Sequence, residues 1–364
     1  YATDTESGSI VIGNDEGAIS KVAADTELVL PDGVSAYMGG TTVLGTIEYV
    51  EAVDAVKNFD GTRYTVKDGT DSTYFIKEFS AALAEIDTAD RKTITVFGEV
   101  EVADGFTLAD GQTIVIDSEA EFTVSDDALV TIESGARING TVTEVTGVLT
   151  VQRGGNVQSV AKYAVYSEGT DGSKTYAGFI AAIENSNAGD RITVSGVGYD
   201  DGDNKLVVED SVTIPADRTV IITHSIYFDG NLTIDEGATV NNQNSVYMTD
   251  ENATIYVNGV LDNTSSNADI VFQSADTDGK RNIYASGEFK TDSSGLNITN
   301  ATVNGAYYQD GTTCVVTTFA KAVEAAAGSD SISDVVYIIG TISESGDVTV
   351  SGETTQFVVY VGDS

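Results

Sequence analysis

Three stretches of this 364-residue chain are written to one pattern. The first runs Asp68-Gly69-Thr70, then Phe79-Ser80-Ala81-Ala82-Leu83, then Thr93-Ile94-Thr95-Val96-Phe97-Gly98. The second runs Glu168-Gly169-Thr170, Phe179-Ile180-Ala181-Ala182-Ile183 and Ile192-Thr193-Val194-Ser195-Gly196. The third runs Asp310-Gly311-Thr312, Phe319-Ala320-Lys321-Ala322-Val323 and Val335-Val336-Tyr337-Ile338-Ile339-Gly340. In each, a Gly-Thr turn leads into a short Ala-rich helix. Its Phe and the Leu, Ile or Val four positions later share one face, because residues four apart lie one helical turn above each other. A β-branched strand ending in Gly follows.

A second element recurs as Leu28-Val29-Leu30-Pro31-Asp32-Gly33-Val34-Ser35-Ala36, Val130-Thr131-Ile132-Glu133-Ser134-Gly135-Ala136-Arg137-Ile138 and Leu232-Thr233-Ile234-Asp235-Glu236-Gly237-Ala238-Thr239-Val240. The copies are 102 residues apart. Variants start at Leu108 and Val212. Each reads as strand, tight turn, strand, with alternation inside the strands. Both prolines, Pro31 and Pro215, fall where a strand exits into the turn, where a missing N–H costs least.

Spacing selects the architecture. Gly111 to Gly135 is 24 residues and Asp217 to Gly237 is 20, the length of one coil of a parallel β-solenoid. The expected fold is all-β: tandem parallel β-helix (β-solenoid) modules, each opened by a short capping α-helix that covers the open end of the stack. The alternative is a row of tandem immunoglobulin-like β-sandwiches, whose strands also recur about every 8–12 residues but which need no such helix.

The Leu/Val-x-Ile-x-x-Gly rhythm after a capping helix resembles the right-handed parallel β-helix of the pectate-lyase-like superfamily. The succession of several such modules resembles archaeal and bacterial surface-layer, sheath or filament proteins. Lyases of that superfamily use calcium-bound carboxylates with a basic residue, and related hydrolases use clustered aspartates with a Gly-His-Gly element. This chain has the pair Asp200-Asp201, but it lacks Gly-His-Gly and its seven arginines are scattered. The resemblance therefore implies the fold and a structural role, and no enzyme is expected.

Modules counted from the helix signature run 64–162 and 163–306. Residues 307–364 carry a module's opening without its later coils, and residues 1–63 carry late-module strands without an opening. The two ends read as halves of one module, completed by a neighbouring subunit. An unfinished β stack offers unpaired backbone donors and acceptors, and a head-to-tail contact of this kind propagates as a filament unless rotation closes it into a ring. The residues expected at that joint are Ile10, Ile12, Leu28 and Leu30 on one side and Val348, Val350, Phe357 and Val359 on the other.

Acidic residues outnumber basic ones 57 to 18, a formal net charge of −39 that opposes nucleic acid and anionic lipid as partners. No stretch approaches the ~20 apolar residues of a membrane span. The expected partners are further copies of the chain and cell-surface glycans. Calcium is the expected cofactor, since hard cations take clustered oxygen ligands. Its candidate loops are Asp200, Asp201 and Asp203; Asp276 and Asp278; and Asn14, Asp15 and Glu16, although none completes an EF-hand or nonapeptide motif.

Six sequons, at Asn139, Asn231, Asn252, Asn263, Asn297 and Asn300, favour a secreted glycoprotein at the cell surface. A start at Tyr1 without a leader fits a processed product or a fragment. His224 is the only histidine, which excludes triads and histidine-rich zinc sites, and Cys314 has no intrachain partner. The reading is an extracellular structural protein that self-assembles into a filament, sheath or layer. Its alternative is a carbohydrate-binding adhesin or a lyase-like β-helix.

Overall fold

The computed structural model describes residues 9–11, 21–22, 27–30, 35–37, 42–43, 46–49, 56–57, 63–67, 73–76, 79–86, 92–196, 205–273, 281–292, 298, 300–328, 335–342 and 359–361. Two compact units divide the chain, Tyr1–Lys162 and Tyr163–Ser364. Both are built of coils stacked in parallel, and the stacks together make about nine turns. This is the β-solenoid, and it displaces the sandwich alternative: strands one coil apart pair in parallel, where a sandwich needs antiparallel neighbours.

In the first unit, one stack has three faces. Thr93–Phe97, Thr113–Ile116, Arg137–Val142 and Asn156–Val160 form one. Glu99–Val102, Glu121–Val124 and Glu144–Val145 form the second. Phe106–Leu108, Leu129–Ile132 and Val148–Gln152 form the third. Register follows from alternation. Ile94, Ile114 and Ile138 stack on one another and are fully buried, while the residues between them face outward. A slip of one residue would turn this whole inner column to solvent. The described strands between positions 9 and 57 pair likewise, with Ile10 beside Ala36, Lys21 beside Thr42 and Leu28 beside Ile47.

The second unit repeats the plan on a larger scale. Arg191–Val194, Thr219–Ile222, Thr239–Asn242, Val260–Asp262 and Glu288–Thr291 make its first face. Leu206–Val208, Ile226–Phe228, Ser245–Met248 and Asp269–Phe272 make the second. Val212–Ile214, Leu232–Ile234, Thr254–Val257, Asn282–Ala285 and the start of Thr302–Asp310 make the third.

The recurring Ile-x-x-Gly-Ala is the corner between faces. Gln112 N donates to Ala109 O, Ala136 N to Glu133 O and Ala238 N to Asp235 O. The third residue of each turn has positive φ: 76° at Gly111, 83° at Gly135 and 87° at Gly237. These are type II turns, which favour glycine there. The residue that follows is buried at each corner: Ala136 and Ala238 in two, and in the third Gln112, whose Nε2 donates to Ile86 O at 3.2 Å.

The helices are α1 (Phe79–Ile86), α2 (Phe179–Asn185) and α3 (Phe319–Gly328). Each is preceded by a β-hairpin that reading forward from the Gly-Thr turn does not reveal. In the second and third copies that turn is the hairpin tip, and a full strand separates it from the helix. The hairpins pair Arg63–Lys67 with Thr73–Ile76, Val165–Gly169 with Gly172–Tyr176, and Thr302–Asp310 with Thr313–Thr317.

In the first unit the hairpin is a joint. Its second strand pairs antiparallel with Thr46–Tyr49 of the preceding stack, and its first strand with Thr93–Phe97 of the next. Glu288–Thr291 and Val336–Ile339 flank the last hairpin in the same way. Three antiparallel steps reverse strand direction across each of these two joints. The helix then closes the mouth of the new stack: Phe79 meets Phe106 and Phe122 edge-on at 5.3 and 5.9 Å, and Phe179 meets Phe228 at 5.8 Å.

Candidate functional site

Two kinds of surface stand out: strand edges at the outer coils, and columns of side chains along the outside of the second stack. Among the described residues, Ser9–Val11, Lys21–Val22 and Glu27–Leu30 each pair with a strand on one side only. At the other extreme Val359–Val361 pairs only with Val336–Ile339, in parallel and in register. A one-sided parallel strand presents alternate N–H and C=O groups at its free edge and accepts any chain that can lie in register with it.

Of the residues expected at an assembly joint, Ile10, Leu28, Leu30 and Val359 lie in these edge strands. Ile12, Val348, Val350 and Phe357 lie outside the described residues, as do all the calcium candidates, Asn14, Asp15, Glu16, Asp200, Asp201, Asp203, Asp276 and Asp278. Among the described residues no three of His, Cys, Asp and Glu group as a metal site.

The sequons differ in setting. Asn139 and Asn252 are exposed. Asn231 Oδ1 accepts from Thr254 N at 2.8 Å, and Asn300 Nδ2 donates to Phe272 O at 2.9 Å. Asn263 is buried, its Oδ1 accepting from Asn242 Nδ2 at 2.7 Å. Asn297 is outside the described residues.

His224 sits at a coil corner, its N–H donating to Val194 O. A Cβ on Gly196 would lie 2.3 Å from its ring, so glycine at Gly196 leaves room for the imidazole. Cys314 is buried in the last hairpin, and burial pushes its thiol pKa up, which keeps it protonated and unreactive.

The outer columns escape a reading of the sequence alone. On the second face Val207, Tyr227, Tyr247 and Val271 stand in one register row. The two tyrosine rings stack at 4.5 Å and 9°, and Lys205 Nζ lies 5.0 Å over Tyr227 from the coil on the other side. Burial, and then Tyr247, raise the pKa of the Tyr227 phenol. On the third face Tyr256 and Tyr284 stack at 5.9 Å and are 40% and 41% exposed. Tyr307 and Tyr337 stack at 4.7 Å at the last joint. The coil length is the signal that exposes the first pair, since Tyr227 and Tyr247 are one 20-residue coil apart. Tyr256 and Tyr284 are separated by a longer coil that no constant period predicts.

The fold defines the class: a parallel β-solenoid protein with helix-closed stacks joined by hairpins, compatible with structural roles and with adhesin- or lyase-like ones. Compared with known proteins, the chain matches no family, no curated protein and no solved structure. No helix among the described residues is long and apolar enough to cross a membrane.

Proposed function

We propose that the chain is an extracellular structural protein that assembles head to tail through its edge strands into a cell-surface filament, sheath or layer. The observation that carries this reading is that, among the described residues, the strands nearest both ends, Ser9–Val11, Lys21–Val22, Glu27–Leu30 and Val359–Val361, pair in parallel on one side only. The molecule already joins stack to stack through strand edges, at Thr46–Tyr49 and again at Glu288–Thr291. Pairing between copies extends the same chemistry.

The net charge of −39 opposes unspecific association, so docking depends on register-matched backbone pairing and on cations that screen the approach. Calcium at the acidic loops is the proposed screen, and glycans at Asn139 and Asn252 are proposed to face solvent. Likeness to the pectate-lyase superfamily is proposed at the level of coil architecture, without its activity.

Negative-stain microscopy of the purified protein tests this reading. Regular fibres, tubes or sheets are expected, and deletion of residues 1–50 should abolish them. Unchanged polymers from the truncated chain would remove the basis of the proposal. The outward column of Val207, Tyr227, Tyr247 and Val271 favours a second reading, a binding face for neutral glycans. Glycan-array binding by dispersed monomers, without polymers, would select it.

A further inference from the structure

We infer that Tyr227 and Tyr247 form a site of oxidative cross-linking, in which a carbon–carbon bond between the two rings staples adjacent coils of the second stack. This chemistry is independent of assembly between copies.

Geometry carries it. Tyr227 and Tyr247 are register partners on neighbouring parallel strands, so the backbone holds their Cα atoms at one rung spacing. Their rings are near-parallel with centroids 4.5 Å apart, the closest of the three stacked tyrosine pairs. Both strands are anchored on either side of the tyrosine by buried side chains, Ile226 and Phe228 on one strand and Val246 and Met248 on the other. The rings cannot drift apart, and rotation about the Cβ–Cγ bonds brings together carbons ortho to the two hydroxyls.

Composition directs oxidation to the tyrosines. The chain has no Trp and 17 Tyr, and its only thiol, Cys314, is buried. The Tyr307 and Tyr337 pair, with centroids 4.7 Å apart, is the nearest competitor for coupling within the chain. Tyr227 lies between Tyr247 and Lys205, whose ammonium is inert to one-electron oxidation.

The reaction consumes two equivalents of a one-electron oxidant, for example a peroxidase or photo-oxidant driven by a peroxide. Each phenol gives up one electron and one proton to become a tyrosyl radical. The radicals couple at ortho carbons to give two ring ketones, and the proton on each coupled carbon then moves to the ketone oxygen as the rings regain aromaticity and their hydroxyls. The net change is loss of two hydrogen atoms and gain of one C–C bond.

The test treats dilute full-length protein with a photo-activated ruthenium oxidant and persulfate, then cleaves at the acidic residues between the tyrosines, Asp229, Asp235 and Glu236. The expected result is a monomer lighter by two hydrogens, with blue dityrosine fluorescence and a linked peptide containing Tyr227 and Tyr247. Tyr247→Phe and Tyr227→Phe should each lose that linked peptide while the untreated variants keep the wild-type melting temperature. Links placed mainly at other tyrosines or only between chains would overturn the inference. So would the absence of any link under conditions that couple free tyrosine.

Discussion

The stack at 93–160 and the stack at 191–304 solve one problem in different ways. In the first, Thr93 is followed one coil later by Thr113, then by Arg137 and Asn156, in short and similar steps. Its interior is aliphatic around Phe122, and Gln112 is its buried polar residue. In the second, the step from Ile192 to Val220 and that from Leu261 to Phe289 are each eight residues longer than the step from Val220 to Val240. Its interior holds Asn242, Thr254, Asn263, Arg281, Thr291 and Asn304.

The polar residues sit where coils change length. Asn242 Nδ2 donates to Asn263 Oδ1 at 2.7 Å and to Asp269 O at 3.1 Å. Arg281 Nε and Nη2 donate to Glu251 O and Asp250 O at 3.2 and 3.0 Å. Arg218 ties the longer step from Ile192 back to the end of α2, through Ser186 Oγ at 3.0 Å and Ser186 O at 2.8 Å. Coils of near-constant length satisfy their backbone through the ladder and need only apolar filling. A coil that bulges leaves carbonyls without ladder partners, and side chains must supply the donors.

Substitutions separate the two solutions. Arg281→Ala should have the largest effect, about 3–5 kcal/mol by denaturant unfolding, because it removes the donors to Glu251 O and Asp250 O and opens a cavity where a fully buried side chain stood. A loss below about 1 kcal/mol would mean that the long coil does not depend on its guanidinium. Ile138→Ala, in the first stack, should cost about 3 kcal/mol as a plain loss of buried aliphatic volume. Next comes Asn242→Leu, at about 2 kcal/mol, since a side chain of similar size fills the space but removes the donor to Asn263 Oδ1 and Asp269 O. An unchanged melting temperature for that variant would break the contrast between the stacks. The smallest effect is a gain: Asp217 occupies a corner at φ 61°, so Asp217→Gly should stabilise by about 1 kcal/mol.

Much of the coil architecture is legible in the order of the amino acids. Leu232-Thr-Ile and Thr239-Val240 announce two strands and their corner by alternation, and Gly237 marks the positive φ between them. The Ala-rich segments led by Phe79, Phe179 and Phe319 are helices at the expected places. The hairpins are not legible in the same way. Tyr64-Thr-Val66 and Tyr74-Phe-Ile76 look like any other strands, and their antiparallel partners, Thr93–Phe97 and Thr46–Tyr49, are set by long-range pairing.

Arg281, Asn242 and Asn263 are hidden for another reason. A polar residue between strands reads as loop until the coil that encloses it is known. The proposed joint is legible in part: Leu28 and Val359 lie on strands paired on one side only, and the partner proposed for their free edges is a second copy.

Hydrogen exchange on dispersed and assembled protein tests the joint most directly. If the edges meet as proposed, the alternate amides of Glu27–Leu30 and of Val359–Val361 that face the free edge exchange freely in the dispersed chain and become protected together on assembly. Assemblies in which both segments keep their dispersed exchange rates would contradict it.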